Sequence, residues 1–368
     1  MSKYWLLLKQ YLKFAAQRLV LGSILLLFVS PSAASDPLLT SIFKKLSEES
    51  LYSYPMYSGG RTEVLQYVRS QDAYAELYGE TEFKALSASQ SDSYAGVGFY
   101  LEKGKSGQLI CLLMHGGLDQ NSGVQSGDVL WAVNDEFVGG RSVPYVASKL
   151  RGVSNSYVKL TLLRGVGKLY SVNLARKLYS APSVYLDSSS GIPRIVLQQF
   201  TKDTRKKLAT ILHALGRQAI IIDLRNNSGG LVWEAARCAE LFFPPRSRLF
   251  SVVSRDGSKT AIASAGWKAS TARIFLWQNA YTASASEAFI SAMKQRNDVV
   301  LVGSNSFGKS EVQKISKLTK NAYLKFTFAR VVHHYGTITN TGSLVADVPL
   351  PHRAPDQMYY LKTISLLN

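Results

Sequence analysis

The sequence predicts an α+β multidomain chain: a small N-terminal helical arm, a mainly β module, and an α/β core in which a mixed sheet is flanked by helices. Three observations carry this. Leu39, Ile42, Phe43 and Leu46 fall at i, i+3, i+4, i+7, and Val64, Tyr67 and Val68 continue a similar stripe. Short β-like runs with turn signals fill Tyr94 to about Arg176, and from Ser183 onward strands alternate with helices. With 46% hydrophobic residues among 368, the chain can bury a sizeable core, and its length suits two or three domains.

The first segment, 1–34, reads as a leader. Lys3, Lys9, Lys13 and Arg18 stand without an acidic residue, followed by the apolar run Leu19 to Val29 and then Ser32-Ala33-Ala34-Ser35. That order fits a cleaved signal peptide, because a spanning helix needs about 20 apolar residues. An uncleaved anchor is the alternative, since the basic region is long. An exported protein, periplasmic or otherwise extracytoplasmic, is expected. The helical arm follows over 35–93, ending in the small, polar stretch Ser87 to Ser93.

The β module, 94–176, consists of Gly96 to Leu101, Leu109 to Leu113, Gly123 to Asn134 and Tyr157 to Leu163, with a helix over Ser142 to Leu150. The core, 177–368, opens with a strand at Ile195 to Leu197, a helix over Thr201 to Leu215 and a buried strand over Ala219 to Leu224. Asn226-Asn227-Ser228-Gly229-Gly230 then leads into a helix, Leu231 to Phe242, and Ile274 to Trp277 supplies a further strand. In such a sheet, functional loops gather at strand ends.

Lys and Arg exceed Asp and Glu by 18, and removing residues 1–34 leaves +14. This excess predicts attraction to anionic membrane or cell-wall surfaces. The basic residues are dispersed and accompany no helix-turn-helix, zinc-finger or RNA-binding signature, so nucleic acid is not an expected partner. Cys111 and Cys238 lie in different predicted domains and read as separate buried thiols.

Chemistry concentrates between Tyr281 and Gln313. Ser284-Ala285-Ser286-Glu287 fits the capping box S-x-x-E before the apolar pattern Ala288, Phe289, Ala292, Met293. A serine at a helix N-terminus also sits where amides and the helix dipole favour an oxyanion, so a cap and a nucleophile share one geometry. A hydroxyl needs a base. His115, His213, His333, His334 and His352 stand in no setting that suggests a triad, whereas Lys309 lies in a Gly-flanked turn where burial can make a neutral amine available. The same stretch, Gly303 to Ser310, satisfies the phosphate-binding pattern G-x-x-x-x-G-K-[ST]. Upstream, the Gly229-Gly230 pair between a buried strand and a helix lets backbone amides approach a substrate closely.

Two resemblances organise these motifs. Gly96-Val97-Gly98-Phe99 together with SGVQSGDVLWAVND resembles a PDZ domain, in which a glycine loop receives a peptide's terminal carboxylate while the peptide adds as a strand. The DLRNNSGG loop, SASE after a strand, and Phe307-Gly308-Lys309 followed by Gln313 resemble the carboxyl-terminal processing (tail-specific) protease family, serine peptidases of S41 type with a PDZ domain. The resemblance runs from about Asp72 to Pro349. It implies Ser284 as nucleophile, Lys309 as general base, Gln313 as the group orienting the lysine, and an oxyanion hole from the amides of Ala285 and of Gly229 or Gly230. It also implies protein substrates held by their C-termini, with no metal or other cofactor. Thr282 stands where Ser is usual and Ser228 where Pro or Gly is common, and neither touches the reacting groups.

A catalytically silent, peptide-binding scaffold is the rival reading. The phosphate-loop reading is weaker, because the only apolar strand ending in Asp, Ile221-Ile222-Asp223, precedes the loop and an exported protein lacks ATP.

Overall fold

The computed structural model describes residues 36–367 except 56, 58, 89–92, 105, 115, 116, 119–121, 166, 181, 190, 266 and 269–272. The expected leader, 1–34, and His115 lie outside the described residues.

The core is a six-stranded sheet in the order Val184–Asp187, Arg194–Leu197, Ile220–Asp223, Ile274–Gln278, Val299–Gly303, Val348–Pro349. The first pair is antiparallel and the other four are parallel, so the sheet is mixed. Its inner strands are mostly apolar because both faces are covered. Alternation decides which side chain serves which face. Ile220, Ile222, Ile274 and Leu276 join the larger cluster under the helices Thr204–Leu215, Val232–Ala239 and Ala285–Met293, whereas Ile221, Phe275 and Trp277 join Tyr359 of the C-terminal helix Asp356–Ser365. That helix is pinned by Trp277 Nε1 donating to Thr363 Oγ1 (3.0 Å) and Tyr359 Oη donating to the Gln278 carbonyl (2.8 Å).

A second sheet, not foreseen from sequence, carries the N-terminal arm. Glu76–Gly79, Ala322–Val332, Arg248–Ser254 and Lys259–Ala263 lie side by side, and Glu311–Thr319 pairs antiparallel with Ala322–Val332. Ile42 and Leu46 of the helix Pro37–Glu49, with Val64 and Val68 of Arg61–Gln71, pack on Leu324 and Phe326 of that sheet. The predicted stripes therefore face the core domain's own strands.

The β module forms a third sheet in the order Phe99–Lys103, Leu109–Leu113, Val129–Val133, Tyr157–Arg164, Lys168–Ala175, with Glu136–Phe137 beside Val129–Val133. The helix Val143–Leu150 closes its core, and Ser142 caps that helix by accepting from the Tyr145 amide. Entry and exit strands, Ser93–Gly96 and Lys177–Ser180, pair as a two-stranded ribbon. Cys111 and Cys238 are buried and unpaired.

Candidate active site

Three loops at the carboxyl ends of the core strands meet, two of them around one buried carboxylate. The first leaves Ile220–Asp223. Asp223 and Arg225 pair (2.6 Å), and Arg225 also reaches Asp356 (2.8 Å) while lying over the rings of Trp277 and Tyr359, which fixes the loop base against the C-terminal helix. Asn227, fully buried, donates to the Leu197 carbonyl (2.8 Å) and accepts from the Gly229 amide (2.9 Å). Its carbonyl accepts from the Ala283 amide (3.1 Å) and from Ser286 Oγ (3.0 Å), so it ties this loop to the turn that carries Ser284. Thr282 keeps the hydroxyl of the usual serine and donates it to the Leu224 carbonyl (2.9 Å).

Ser284 precedes Ala285–Met293, a helix whose every residue is buried, yet Ser284 itself remains half-buried and open to a substrate. Its backbone, φ 57° and ψ −116°, lies in a region that residues with a side chain avoid. Such strain costs on the order of 1–3 kcal/mol and persists where the surroundings over-determine it, as at many active sites. Those surroundings include Gly229, at φ 114°, where an added Cβ would stand 3.1 Å from Ser284 Cβ, 2.9 Å from the Ala283 carbonyl oxygen and 3.0 Å from the Ala285 nitrogen. Gly229→Ala is accordingly expected to cost roughly 1–3 kcal/mol from the positive φ alone and to displace the serine. Urea unfolding alongside a cleavage assay checks this, and an unchanged midpoint with full activity would contradict it.

The third loop follows Val299–Gly303 and carries Lys309. Glu287, fully buried, joins it to the serine turn. Its carboxylate accepts the amides of Ser284 (2.7 Å), Gly308 (2.6 Å) and Lys309 (2.8 Å) and the hydroxyl of Ser306. Burial pushes the Glu287 carboxyl up, and these four donors act against that push. The arrangement explains the phosphate-binding pattern: the glycine-lysine turn does present amides to an anion, and that anion is the chain's own Glu287. The phosphate-loop reading is thereby corrected. Gly308, φ 82°, is required because a Cβ there would lie 2.7 Å from the Thr341 carbonyl oxygen.

The Lys309 side chain is buried, and burial lowers its pKa while the nearby Glu102, Glu311 and Glu287 raise it and Lys325 lowers it further. Its Nζ lies 3.9 Å from Glu102 Oε1 and 4.2 Å from the centroid of the Tyr74 ring. Gln313 Nε2 donates to Thr327 Oγ1 (3.3 Å), and Thr327 is held in turn by Asp72. The lysine's nearest side-chain partners are thus Glu102 and Tyr74, which sequence reasoning missed. Both come from segments more than 200 residues upstream, so no local pattern marks them. Of the two glycine amides considered for the oxyanion, that of Gly229 is spent on Asn227, which favours Gly230 and Ala285. Among the described histidines, His334 Nε2 is bonded to Ser251 Oγ (2.8 Å) and His352 packs on Tyr281.

Gly96, Val97, Gly98 and Phe99 are brought together as a buried loop in the β module, where a Cβ on Gly98 (φ 73°) would meet Tyr179 Cζ at 2.8 Å. The loop runs into the strand that bears Glu102. Glu102, Ile110 and Leu112 of the module face Tyr281, Ala283, Phe307 and Lys309 across a narrow cleft.

Residues 191–349 match the family model described as Peptidase family S41. The chain is 28% identical over 261 residues to a probable CtpA-like serine protease of Staphylococcus saprophyticus, covering 70% of this chain and 53% of that protein. It is 28% identical over 263 residues to one of the same name from Staphylococcus aureus, with the same coverage. The chain therefore spans about half the length of these curated relatives. Among solved structures it is similar to the photosystem II D1 C-terminal processing protease, with TM-score 0.71 and 20% identity over 87% of this chain and 94% of that one. A putative S41 protease from Bacteroides fragilis gives TM-score 0.54 and 14% identity over 92% of this chain and 100% of that one. At these identities the structural likeness concerns the fold. The similarity to peptidase family S41 thus lies in residues 191–349, the part of the core that carries Ser284 and Lys309.

Proposed function

We propose that the protein is an exported serine endopeptidase that cleaves protein substrates near their C-termini, with Ser284 as nucleophile and Lys309 as general base. Residues 94–176 act as a PDZ domain that receives the substrate tail. One observation carries the reading: a single buried carboxylate, Glu287, binds the backbone of both Ser284 and Lys309, holding a strained, accessible hydroxyl and a buried amine in one frame. Ser284 Oγ attacks the scissile carbonyl carbon as Lys309 takes its proton. The amides of Ala285 and Gly230 hold the oxyanion, and Lys309 returns the proton to the leaving amine. Water then releases the acyl group from Ser284. Gln313 orients the lysine when the site closes on a substrate.

The module reading is supported by the buried Gly96–Phe99 loop leading into Phe99–Lys103, an edge strand beside the helix Val143–Leu150. Such an edge accepts an added strand. Export rests on the basic-then-apolar order of residues 1–34, and the net charge favours contact with anionic membrane or wall surfaces.

An unstructured substrate protein with a free C-terminus is expected to be cleaved, and Lys309→Ala to abolish cleavage while tail binding persists. Because the base is the neutral amine and burial lowers its pKa, activity should rise with pH through a midpoint below the ordinary lysine value of about 10.4. A flat profile from acid to alkaline pH, or full cleavage by Lys309→Ala, would overturn the assignment. Tail binding without cleavage by the wild-type chain would favour the silent scaffold.

A further inference from the structure

The C-terminal helix Asp356–Ser365 lies on the face of the six-stranded sheet opposite the helix that follows Ser284, and outside the residues that match the family model. One of its side chains, Tyr359, touches the base of all three loops of the site. It is 1% exposed, and its contacts fall at the carboxyl ends of three different core strands.

At the first loop, the Arg225 guanidinium lies over the Tyr359 ring, 4.4 Å from its centroid, while its pairing with Asp223 ties it to Ile220–Asp223. At the second, Tyr359 Oη donates to the carbonyl of Gln278 (2.8 Å), the last residue of Ile274–Gln278. The next residue, Asn279, accepts the amides of Asn226 (3.0 Å) and Tyr281 (3.1 Å), so the first two loops are laced together directly after this carbonyl. At the third, Gly303 ends Val299–Gly303 beside Gln278, and a Cβ there would stand 2.9 Å from Tyr359 Oη. Gln278 Nε2 also donates to the Ser304 carbonyl (2.9 Å), which joins the second loop to the third.

The Tyr359 hydroxyl bonds neither Ser284 nor Lys309; it acts on the strand ends from which their loops depart. Burial pushes its pKa up to about 12, with Arg225 opposing the rise and Asp223 and Asp356 adding to it. The hydroxyl therefore stays a donor from acid to mildly alkaline pH. A nucleophile, a base and oxyanion donors carried on separate loops react only when aligned, and a misplacement of about 1 Å costs roughly a hundredfold in rate.

We propose that Tyr359 is a positioning residue for acyl transfer: it holds the carboxyl ends of three core strands in register, so that the Gly230 loop, the Ser284 turn and the Lys309 loop meet. The inference rests on the Ser284/Lys309 reading above and adds a group that neither touches substrate nor moves a proton.

The test uses the full chain carrying Tyr359→Phe, which keeps the ring over Arg225 and removes one hydroxyl. Cleavage of an unstructured substrate with a free C-terminus gives kcat and KM, a fluorophosphonate probe gives the labelling rate of Ser284 across pH, and urea gives the unfolding midpoint. In labelling, Ser284 Oγ bonds to phosphorus, fluoride leaves, and the serine proton passes to Lys309. The kcat and the labelling rate are expected to fall together by roughly ten- to a hundredfold, with KM and the pH midpoint of labelling unmoved. Tyr360→Phe is the control, because the Tyr360 hydroxyl is buried on the same helix with no hydrogen-bond partner among the described residues; its kcat should match wild type. Wild-type kcat per folded chain in Tyr359→Phe, an effect confined to the urea midpoint, or an equal loss in Tyr360→Phe would overturn the proposal and leave the Ser284/Lys309 reading standing. A displaced pH midpoint in Tyr359→Phe would also overturn it, by making the tyrosine part of the proton chemistry. Labelling that survives Ser284→Ala, or none in the wild-type chain, would overturn that reading and the proposal with it.

Discussion

Replacing Ser284 by alanine is expected to lower kcat for tail cleavage by about four to six orders of magnitude, the range seen when a hydrolase loses its nucleophile. The mutation removes one half-buried oxygen and leaves the turn intact. Asn227, Thr282 and the Glu287 carboxylate bind the backbone and neighbouring side chains of this turn without using Ser284 Oγ, whose own tie is to the Glu287 amide as one half of a capping box. Stability should therefore change little, and relief of the strained φ is not expected because alanine has the same Cβ. Affinity for a tail peptide should be retained. Cleavage rates and peptide binding measured on the same preparation separate the two, and retention of more than a few per cent of activity would contradict the role.

Glu287→Ala is expected to produce the largest combined loss. It strips the partner from the buried Lys309 amide and Ser306 hydroxyl and from the part-buried amides of Ser284 and Gly308, and each orphaned buried donor costs about 1–3 kcal/mol. A total loss of roughly 3–5 kcal/mol, comparable with breaking a buried charged network, should appear as a lower denaturation midpoint. Activity should fall by at least about a hundredfold where the protein is still folded, since the frame joining the Ser284 and Lys309 turns is gone. Glu287→Gln keeps the shape and one acceptor oxygen, so it should recover part of the stability and less of the activity. Equal activity for glutamine and glutamate would mean that the carboxylate holds the fold alone.

Local signals found the elements of the site, and long-range contacts found its wiring. Ser-Ala-Ser-Glu was readable as a capping box because that motif fixes a helix start within four residues. The glycines of DLRNNSGG were readable because positive φ favours glycine, and Gly229 and Gly230 do take φ of 114° and 127°. The parallel strands were visible as short apolar runs bounded by turn residues. The phosphate-like pattern was seen but its anion was not, since a sequence motif specifies a turn of amides without saying that Glu287, in the first turn of the helix after Ser284, fills it. Glu102, Tyr74 and Asp72 carry no local signature, because what they touch lies more than 200 residues away. The sheet built on Ala322–Val332 escaped for a similar reason, as its partners Glu76–Gly79 and Arg248–Ser254 are dispersed along the chain.

The central claim is that Ser284 forms the acyl-enzyme with Lys309 as its base. Incubating the full chain with a slowly hydrolysed peptide ester, followed by intact-mass analysis and peptide mapping, tests it most directly. An acyl adduct on the peptide that carries Ser284, accumulating faster as pH rises and absent from Lys309→Ala near neutral pH, is the predicted result. An adduct on another residue, or the same adduct at the same rate in Lys309→Ala, would contradict it.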